Sequence, residues 1–382
     1  MRKGIIIGAG IGGLTTAIAL AKKGIGAVVY EQADAIKEVG AGIWVAPNGL
    51  KVYEKLGIVE DIMSAGRMLE KISVVDLNCK PMSTVDGAKV RSKHKYSTLA
   101  IHRAALQKII ASHIPEGGIV LNKKFKSYRQ TEESITAEFE DGTTAEADFL
   151  INATGIKSIA RERIEPSSTL RYSGQTCWRY VTDFDLPTAS EKEMYEIWGN
   201  EKGLRAAYSK ISDAQVYGYI TNFQPAGGAD NSQTIKADLL KLCADFPAIV
   251  KDLIESCDEN AIIRTDLFDF KPISHWTDGK LALIGDAAHA TTPNLGQGAC
   301  QAIEDAFVIA DELSRNAEVG EAFKNYQSKR IKKATYITNA SWQFAQLTNT
   351  SGFKKSIVKN IIRLTPDFIS DRQLDKIYSL DY

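Results

Sequence analysis

Three glycines, Gly8, Gly10 and Gly13, are spaced G-x-G-x-x-G between the apolar run at residues 4–7 and the small, apolar stretch Leu14-Thr15-Thr16-Ala17-Ile18-Ala19-Leu20-Ala21. A strand, a glycine loop and a helix in that order form a phosphate cradle. The first glycine permits the tight turn, the second lets a pyrophosphate reach the backbone, and the third lets helix and strand pack closely. The helix N-terminus adds unpaired N–H groups and a partial positive charge. Glu31 lies 18 residues past Gly13, at the end of the run Ala27-Val28-Val29-Tyr30. There a carboxylate can accept hydrogen bonds from ribose hydroxyls. Gly8, Gly10, Ile11, Gly12, Gly13, Glu31 and Gln32 are therefore candidate dinucleotide contacts. Alone, they do not separate FAD from NAD.

A second constellation separates them. Gly285-Asp286-Ala287-Ala288-His289, Pro293, Gly296-Gln297-Gly298-Ala299-Cys300 and Ile303-Glu304-Asp305-Ala306 follow the buried-strand pattern Leu281-Ala282-Leu283-Ile284. A nicotinamide dehydrogenase has no need of such a block. A flavin does, because its ribityl chain and ring extend well beyond the dinucleotide loop.

Both blocks need a scaffold that brings them together. Strand, buried helix and second strand open the chain as a βαβ unit of a parallel sheet, and residues 281–284 return to the same style. The loop Val39-Gly40-Ala41-Gly42-Ile43 precedes a helix predicted from Pro47 to Leu56 and closed by Gly57. Residues 72–98 read as irregular strands with polar turns, and Arg103, Leu106 and Ile110 share a helix. Two strand-like runs, 119–128 and 134–140, flank the turn at Asp141-Gly142 and lead to the strand Phe149-Leu150-Ile151. From about 171 to 268 the alternation becomes aromatic-rich, as in Gln215-Val216-Tyr217-Gly218-Tyr219-Ile220, and predicts an antiparallel sheet. A long helix is expected over 297–314 and further helices from 319 onward. The lysine-rich amphipathic piece Phe353 to Leu364 is expected to pack as a helix with a solvated basic face, in preference to lying on a membrane.

Composition narrows the partners. Lys plus Arg and Asp plus Glu number 47 each, with 44% hydrophobic residues. That balance gives no global pull toward nucleic acid or anionic lipid. Five scattered cysteines without a C-x-x-C pair argue against a disulfide framework or a zinc site, and each is expected to be reduced and buried. No apolar stretch approaches the length of a membrane span, and no cleavage-site pattern follows the first residues, so a cytoplasmic location is expected.

With these motifs in place, the sequence closely resembles the class A flavoprotein aromatic hydroxylases, the p-hydroxybenzoate hydroxylase-like family, and within it the salicylate- and urate-hydroxylase-type members. The stretch G-D-A-A-H-x-x-x-P-x-x-G-Q-G carries the resemblance, which spans nearly the whole chain. It implies an α/β fold: a discontinuous Rossmann-type FAD-binding domain with a central parallel sheet (1–71, 100–170 and 269–345), an inserted β-rich substrate domain (72–99 and 171–268) and a C-terminal helical tail (346–382). It implies FAD as the cofactor and NADPH or NADH as the transient electron donor. The implied partners are O2 and a small aromatic, heteroaromatic or polyene substrate, oxygenated by way of a C4a-hydroperoxyflavin, in a monomer or homodimer with no nucleic acid and no stable membrane span.

The resemblance also assigns residues. Asp286 would bond the ribityl chain, and the backbone of Gly298, Ala299 and Cys300, beyond Pro293 and Gly296, would face the flavin N1–C2=O edge. Arg103 would reach the FAD phosphates, and Gly40 to Gly42 would pass beside the ring. The family's middle Asp-Gly is Thr154-Gly155 here, ahead of Ser158 and Arg161, so a hydroxyl stands where a carboxylate would fix an arginine. Arg179, after Trp178, would steer a substrate anion or form an ordinary salt bridge. His289 would act as a base or pack its loop. Tyr195, Trp198, Tyr208, Tyr217 and Tyr219 line a pocket or form the sheet's core. A flavin oxidase or reductase without oxygen insertion, and a non-catalytic FAD-scaffold binding protein, remain open alternatives.

Overall fold

The computed structural model describes residues 2–36 and 41–382; Gly40 lies outside them. The chain opens with β1 (Lys3–Ile7), α1 (Ile11–Lys22) and β2 (Gly26–Tyr30), the two strands parallel from Lys3↔Gly26 to Ile7↔Tyr30. Next come β3 (Gly42–Val45) and α2 (Pro47–Leu56), the helix begun by Pro47 and ended by Gly57 at φ 73°. Then follow α3 (Val59–Ser64), β4 (Arg67–Met68), β5 (Lys71–Asp76) and β6 (Pro81–Asp86).

The strand reading of 72–98 fails after Asp86. That carboxylate accepts from the N–H groups of Ala88 and Lys89 and so starts α4 (Gly87–His94). After β7 (Leu99–His102) and α5 (Arg103–Ser112), the expected strand 119–128 is split into β8 (Ile119–Val120) and β9 (Phe125–Gln130), because Asn122 turns the chain at φ 57°. The Asp141-Gly142 turn joins β10 (Ile135–Phe139) to an additional strand, β11 (Thr144–Ala147), before β12 (Phe149–Asn152).

Beyond α6 (Ile159–Ile164) lie β13 (Leu170–Asp183), β14 (Glu193–Trp198), β15 (Arg205–Lys210), β16 (Gln215–Phe223), α7 (Ile235–Leu242), α8 (Ala248–Ser256) and β17 (Ile263–Phe270). β18 (Thr277–Asp278), β19 (Leu281–Leu283), α9 (Asp286–His289) and α10 (Gly298–Arg315) carry the second motif block. The long α11 (Val319–Thr348), α12 (Gly352–Leu364) and α13 (Asp367–Tyr378) complete the described chain.

Two large sheets organise these elements. A six-stranded sheet runs β18-β19-β12-β1-β2-β8, parallel except for the edge strand β18. A seven-stranded sheet runs β17-β13-β16-β15-β14-β5-β6. It is antiparallel apart from one parallel pair, β14 with β5, because β5 comes from a distant part of the chain. The small sheet β3-β7-β4 lies between the chain segments feeding the two, and β11-β10-β9 forms a fourth. The core follows this plan: one apolar cluster fills the first sheet and its helices, and a second packs α7 and α8 onto one face of the seven-stranded sheet.

Two expectations are overturned at the surface. Cys79 is exposed, at φ 58° in the β5–β6 turn, while the other four cysteines are buried. The tail helix α12 is reversed relative to the sequence reading: three of its four basic residues point inward, while Phe353, Ile357, Ile361 and Leu364 point out. Lys355 donates to the Glu201 carbonyl, Lys359 to the Trp198 carbonyl at 3.3 Å, and Arg363 pairs with Asp76. Carbonyls left open where β14 ends need donors, and long cationic side chains supply them.

Candidate functional site

The glycine loop has the shape of a cradle. Gly8 sits at φ 104°, and a Cβ there would fall 2.6 Å from the Ala153 carbonyl; a Cβ on Gly13 would fall 2.0 Å from the Gly8 carbonyl. Neither position tolerates a side chain. Around Gly10, by contrast, a Cβ would meet nothing within 4 Å, so the loop is open on that side. No side chain caps α1, which begins at Ile11 with Gly12 and Gly13 in its first turn. Glu31 accepts from the Ala9 N–H at 2.7 Å and from the Ala33 N–H at 3.0 Å, fixing the carboxylate beside the loop; Gln32 is exposed next to it. Gln107, one helical turn after Arg103 on α5, donates to the Ala9 carbonyl at 2.6 Å. Arg103 itself is exposed at the start of that helix, anchored through its N–H to the Ala41 carbonyl.

The two halves of the second block meet. Asp286 begins α9, and an ideal Cβ on Gly298 would stand 3.8 Å from its Oδ1. Protein packed around Asp286 raises its carboxyl above the ordinary value, opposed by the charges of His289 and Arg103. Arg103 and Asp286, 183 positions apart in sequence, thus belong to one electrostatic neighbourhood. The turn Pro293–Leu295 ends at Gly296 (φ 61°), and no side chain caps α10 behind it. Cys300 is fully buried and accepts from the Ala46 N–H at 3.3 Å; burial pushes its thiol up to about 12, so it stays protonated.

Thr154 fills the place of the expected carboxylate differently. Its hydroxyl donates to Asn152 Oδ1 at 2.8 Å, as does Ser158 at 2.9 Å. Gly155, beside it, starts a short 3-10 turn. Arg161 is held mainly by neutral groups, with the Glu162 carboxylate only at 3.8 Å. It donates to the Ile156 carbonyl at 2.5 Å and to Ser168 at 3.1 Å, and stacks on Phe270 at 4.5 Å.

The seven-stranded sheet separates its residues by face. Trp178 joins the apolar cluster under α7 and α8, with its indole bonded to Asp230, and the stacked pair Tyr195–Tyr208 lies in the same cluster. Arg179 projects from the opposite face with Tyr217 and Tyr219. Burial drives both phenols well above their usual range. Trp44 of β3 packs across from them, its ring centroid 5.3 Å from Tyr217 and 5.8 Å from Tyr219, with its indole donating to Ser209 at 3.0 Å. Gly42 is required here, because a Cβ would lie 2.3 Å from the Tyr217 ring.

On that same face Arg205 is buried against Glu196 at 3.3 Å, and Glu196 also accepts from Trp198 at 2.6 Å and from Tyr219. Arg205 then donates to Asn294 at 2.6 Å, inside the turn that starts at Pro293. This contact ties the polar face of the sheet directly to the second motif block. Arg179 bonds only the Thr265 hydroxyl and Tyr217, with no carboxylate partner among the described residues.

His289 is placed elsewhere. Its Nε2 lies 2.6 Å from Asp305 Oδ2, and its ring packs on Trp276 at 5.0 Å. Burial acts to raise the Asp305 carboxyl, but the charges and hydrogen bonds of His289 and Arg330 outweigh it and hold it at about 2. Arg330, fully buried, also binds Glu304, and Glu304 accepts from Asn48 at 2.6 Å, from Lys333 at 2.8 Å and from Tyr382. Asn48 in turn donates to Gln297 at 3.0 Å, so the network reaches the start of α10.

Comparison with known proteins decides the family. The FAD binding domain family matches residues 2–341. The chain belongs to this family. Members similar to it include an aurachin C monooxygenase/isomerase from Stigmatella aurantiaca, 33% identical over 90% of this chain and 88% of that protein. An FAD-dependent urate hydroxylase from Klebsiella pneumoniae subsp. pneumoniae is 31% identical over 87% and 86%. A chloroplastic zeaxanthin epoxidase from Nicotiana plumbaginifolia is 32% identical, but the match spans 91% of this chain and only 55% of that protein. The crystal structure of Klebsiella pneumoniae HpxO with FAD and uric acid superposes with a TM-score of 0.91 at 28% identity, covering 98% and 96% of the two chains. The protein is thus an FAD-dependent enzyme of the monooxygenase class, with a p-hydroxybenzoate hydroxylase-like fold.

Within this FAD-binding family member, the structure brings Gly8–Gly13, Glu31, Arg103, Thr154, Asp286 and Gly296–Cys300 to neighbouring strand ends and helix starts. Arg179 lies on the second sheet, and His289, whose charge acts on Asp286, is hydrogen-bonded to Asp305. The sequence reading missed Gln107, Asn48, Glu196 and Arg205. For Gln107 a signal existed, its four-residue offset from Arg103. For Glu196 and Arg205 the only signal was strand alternation, which gives a face but no partner.

Proposed function

We propose that the protein uses NADPH or NADH and O2 to insert one oxygen atom into a small aromatic, heteroaromatic or polyene molecule, by hydroxylation or epoxidation. The observation that carries this reading is the polar, aromatic face of the seven-stranded sheet, joined to the motif turn through Arg205 and Asn294. Such a face is costly to bury unless it serves a ligand or is internally paired. The rings of Trp44, Tyr217 and Tyr219 offer surfaces to a planar substrate. Arg179 offers a charge-assisted donor to a phenolate or similar anion. Arg205, already neutralised by Glu196, contributes hydrogen bonding without net charge.

Bound FAD supplies the redox and oxygen-activating chemistry. The chain's own residues bind, orient and exclude water. Gly8–Gly13 with the start of α1 hold the pyrophosphate, Glu31 and Gln32 the adenosine end, and Arg103 the phosphates. Asp286 holds the ribityl chain, and Gly298, Ala299 and Cys300 present the positive end of α10 to the ring edge that gains negative charge on reduction. Gly42, Thr154, Gly155, Pro293 and Gly296 shape the walls of this channel. His289 acts as a positioning residue through Asp305. Residues 72–99 and 171–268 serve as the substrate unit, 1–71, 100–170 and 269–345 as the FAD unit, and 346–382 as the tail. The enzyme works in the cytoplasm as a monomer or homodimer.

The test is to purify the protein, which should be yellow, and to screen ring-bearing and polyene compounds for stimulated NAD(P)H oxidation and a product heavier by one oxygen atom. Hydrogen peroxide without any oxygenated product, across the whole screen, would favour an oxidase instead. Asp286→Ala should lose most of its flavin on desalting; full retention would show that the ribityl contact is made elsewhere.

A further inference from the structure

An amide side chain has a donor end and an acceptor end of nearly the same shape. Its direction is fixed only where a partner can play a single role. Five buried side chains behind the start of α10 meet that condition: Asn48, Gln297, Gln301, Glu304 and Arg330. Arg330 only donates, and its Nη2 gives to Gln301 Oε1 at 2.7 Å. Glu304, paired with Arg330 at 2.5 Å and Lys333 at 2.8 Å, is a carboxylate that only accepts. It takes from Gln301 Nε2 at 3.2 Å and from Asn48 Nδ2 at 2.6 Å. Both amides are therefore oriented by charged groups, and both turn an N–H toward Gln297. Gln297 Oε1 accepts them, from Asn48 at 3.0 Å and from Gln301 at 3.2 Å.

Gln297 is thus held with its oxygen spent and its amide nitrogen free. The residue is 2% exposed, and among the described residues nothing accepts from its Nε2. Asn48 Oδ1 is sealed in protein without a partner, a cost carried to keep this polarity, whereas Gln297 Nε2 is not sealed. Gln297 is also the residue from which α10 starts, and no side chain caps that helix. We propose that Gln297 is a flavin-contacting residue, its Nε2–H donating to the ring edge that gains negative charge on reduction. This contact rests on the reading above that Gly298, Ala299 and Cys300 face the same edge. A side-chain donor added to the helix N-terminus acts on the same charge, and in a water-poor site it needs no reorientation. Asn48, Gln301, Glu304 and Arg330 are positioning residues, acting on the flavin only through Gln297.

The test reads the redox equilibrium of the bound flavin, not turnover. The FAD-loaded full chain is reduced stepwise with dithionite in the presence of a reference dye, and the flavin absorbance is followed. Gln297→Leu removes the donor and should shift the two-electron equilibrium about tenfold toward oxidised flavin, a midpoint lower by about 30 mV. Gln297→Glu keeps an oxygen for Asn48 and Gln301, so its circular dichroism should match the parent. It replaces the free donor with negative charge, and the shift should be larger, roughly hundredfold. Asn48→Ala removes one of the two donors that hold Oε1 and should shift the equilibrium the same way by about two- to fivefold. An amide with a purely structural role would leave the midpoint of Gln297→Glu where it was. An unchanged or raised midpoint in that folded, FAD-loaded variant would overturn the role of Gln297 alone. A parent chain that retained no FAD would overturn the cofactor reading beneath it.

Discussion

The two faces of the seven-stranded sheet are made from the same strands yet obey opposite rules. Toward α7 and α8, Trp178, Tyr180, Tyr208 and Ile220 pack with Leu239, Val250, Leu253 and Ile254, and nearly everything is apolar. Toward β3 and the Asn294 turn, the alternate residues bring charge and hydroxyls: Tyr217, Arg205 and Glu196 are buried, and Arg179 and Tyr219 half-buried. The first face stabilises by removing apolar area from water. The second is held by hydrogen bonds among its polar groups, with the charge of Arg179 left without a carboxylate among the described residues; such bonding contributes little net stability but fixes geometry. Stability and specificity are therefore separated by a single residue of register on β13.

The largest effect expected from breaking that contrast comes from the sealed face. Trp178→Ala should lower the unfolding free energy by about 3–5 kcal/mol, measured by denaturant titration, because it deletes a buried ring. Flavin affinity of the folded fraction should stay unchanged. A loss of flavin binding matching the loss of stability would show that the two faces are not independent.

The next effect concerns the framework behind the polar face. Asp305 titrates in the folded protein at about 2, below its ordinary value, so its contribution is fully present above about pH 4. As pH falls from there through the folded value, roughly 2–3 kcal/mol of stability should disappear. Circular dichroism against pH should show the loss in that window, and Asp305→Asn should flatten it. A profile unaltered by the substitution would remove Asp305 from the acid response.

Smaller effects probe the polar face itself. Arg179→Gln should leave stability within about 0.5 kcal/mol, since no carboxylate loses its partner. It should cut kcat/KM for an anionic substrate by roughly 10- to 100-fold, read from initial rates of NAD(P)H oxidation. Unchanged kcat/KM would make Arg179 an ordinary strand residue. The smallest effect belongs to Tyr217→Phe, which removes one hydroxyl beside Arg179 while keeping the ring. A decrease of about two- to tenfold is expected, and a larger one would mean that the hydroxyl meets substrate or flavin directly.

The cofactor half was legible because its requirements are local. A pyrophosphate needs consecutive backbone N–H groups and no Cβ, so Gly8, Gly10 and Gly13 had to appear together, and the run from Asp286 to Cys300 had to stay nearly contiguous. The substrate half was hard to read for the opposite reason. Arg205 finds Glu196 across one strand pair and Asn294 from 89 positions away, and nothing in its neighbours along the chain announces either partner. The helix α4 was missed because one carboxylate, Asp86, overrides a weak strand pattern. The orientation of α12 was missed because amphipathic spacing defines a stripe without saying which side meets the protein.

By itself the sequence determined the βαβ opening, the FAD motifs, the family and the class of chemistry, since each depends on residue types at short, fixed spacing. Only the tertiary structure decided that His289 serves Asp305, that Arg161 is held chiefly by the Ile156 carbonyl, Ser168 and the Phe270 ring, that Arg205 is neutralised while Arg179 is not, and that the tail's apolar stripe faces outward. These depend on which groups share a buried volume. Coulomb and hydrogen-bond energies fall off over a few ångströms, so a residue's role follows its neighbours in space, whatever their distance along the chain.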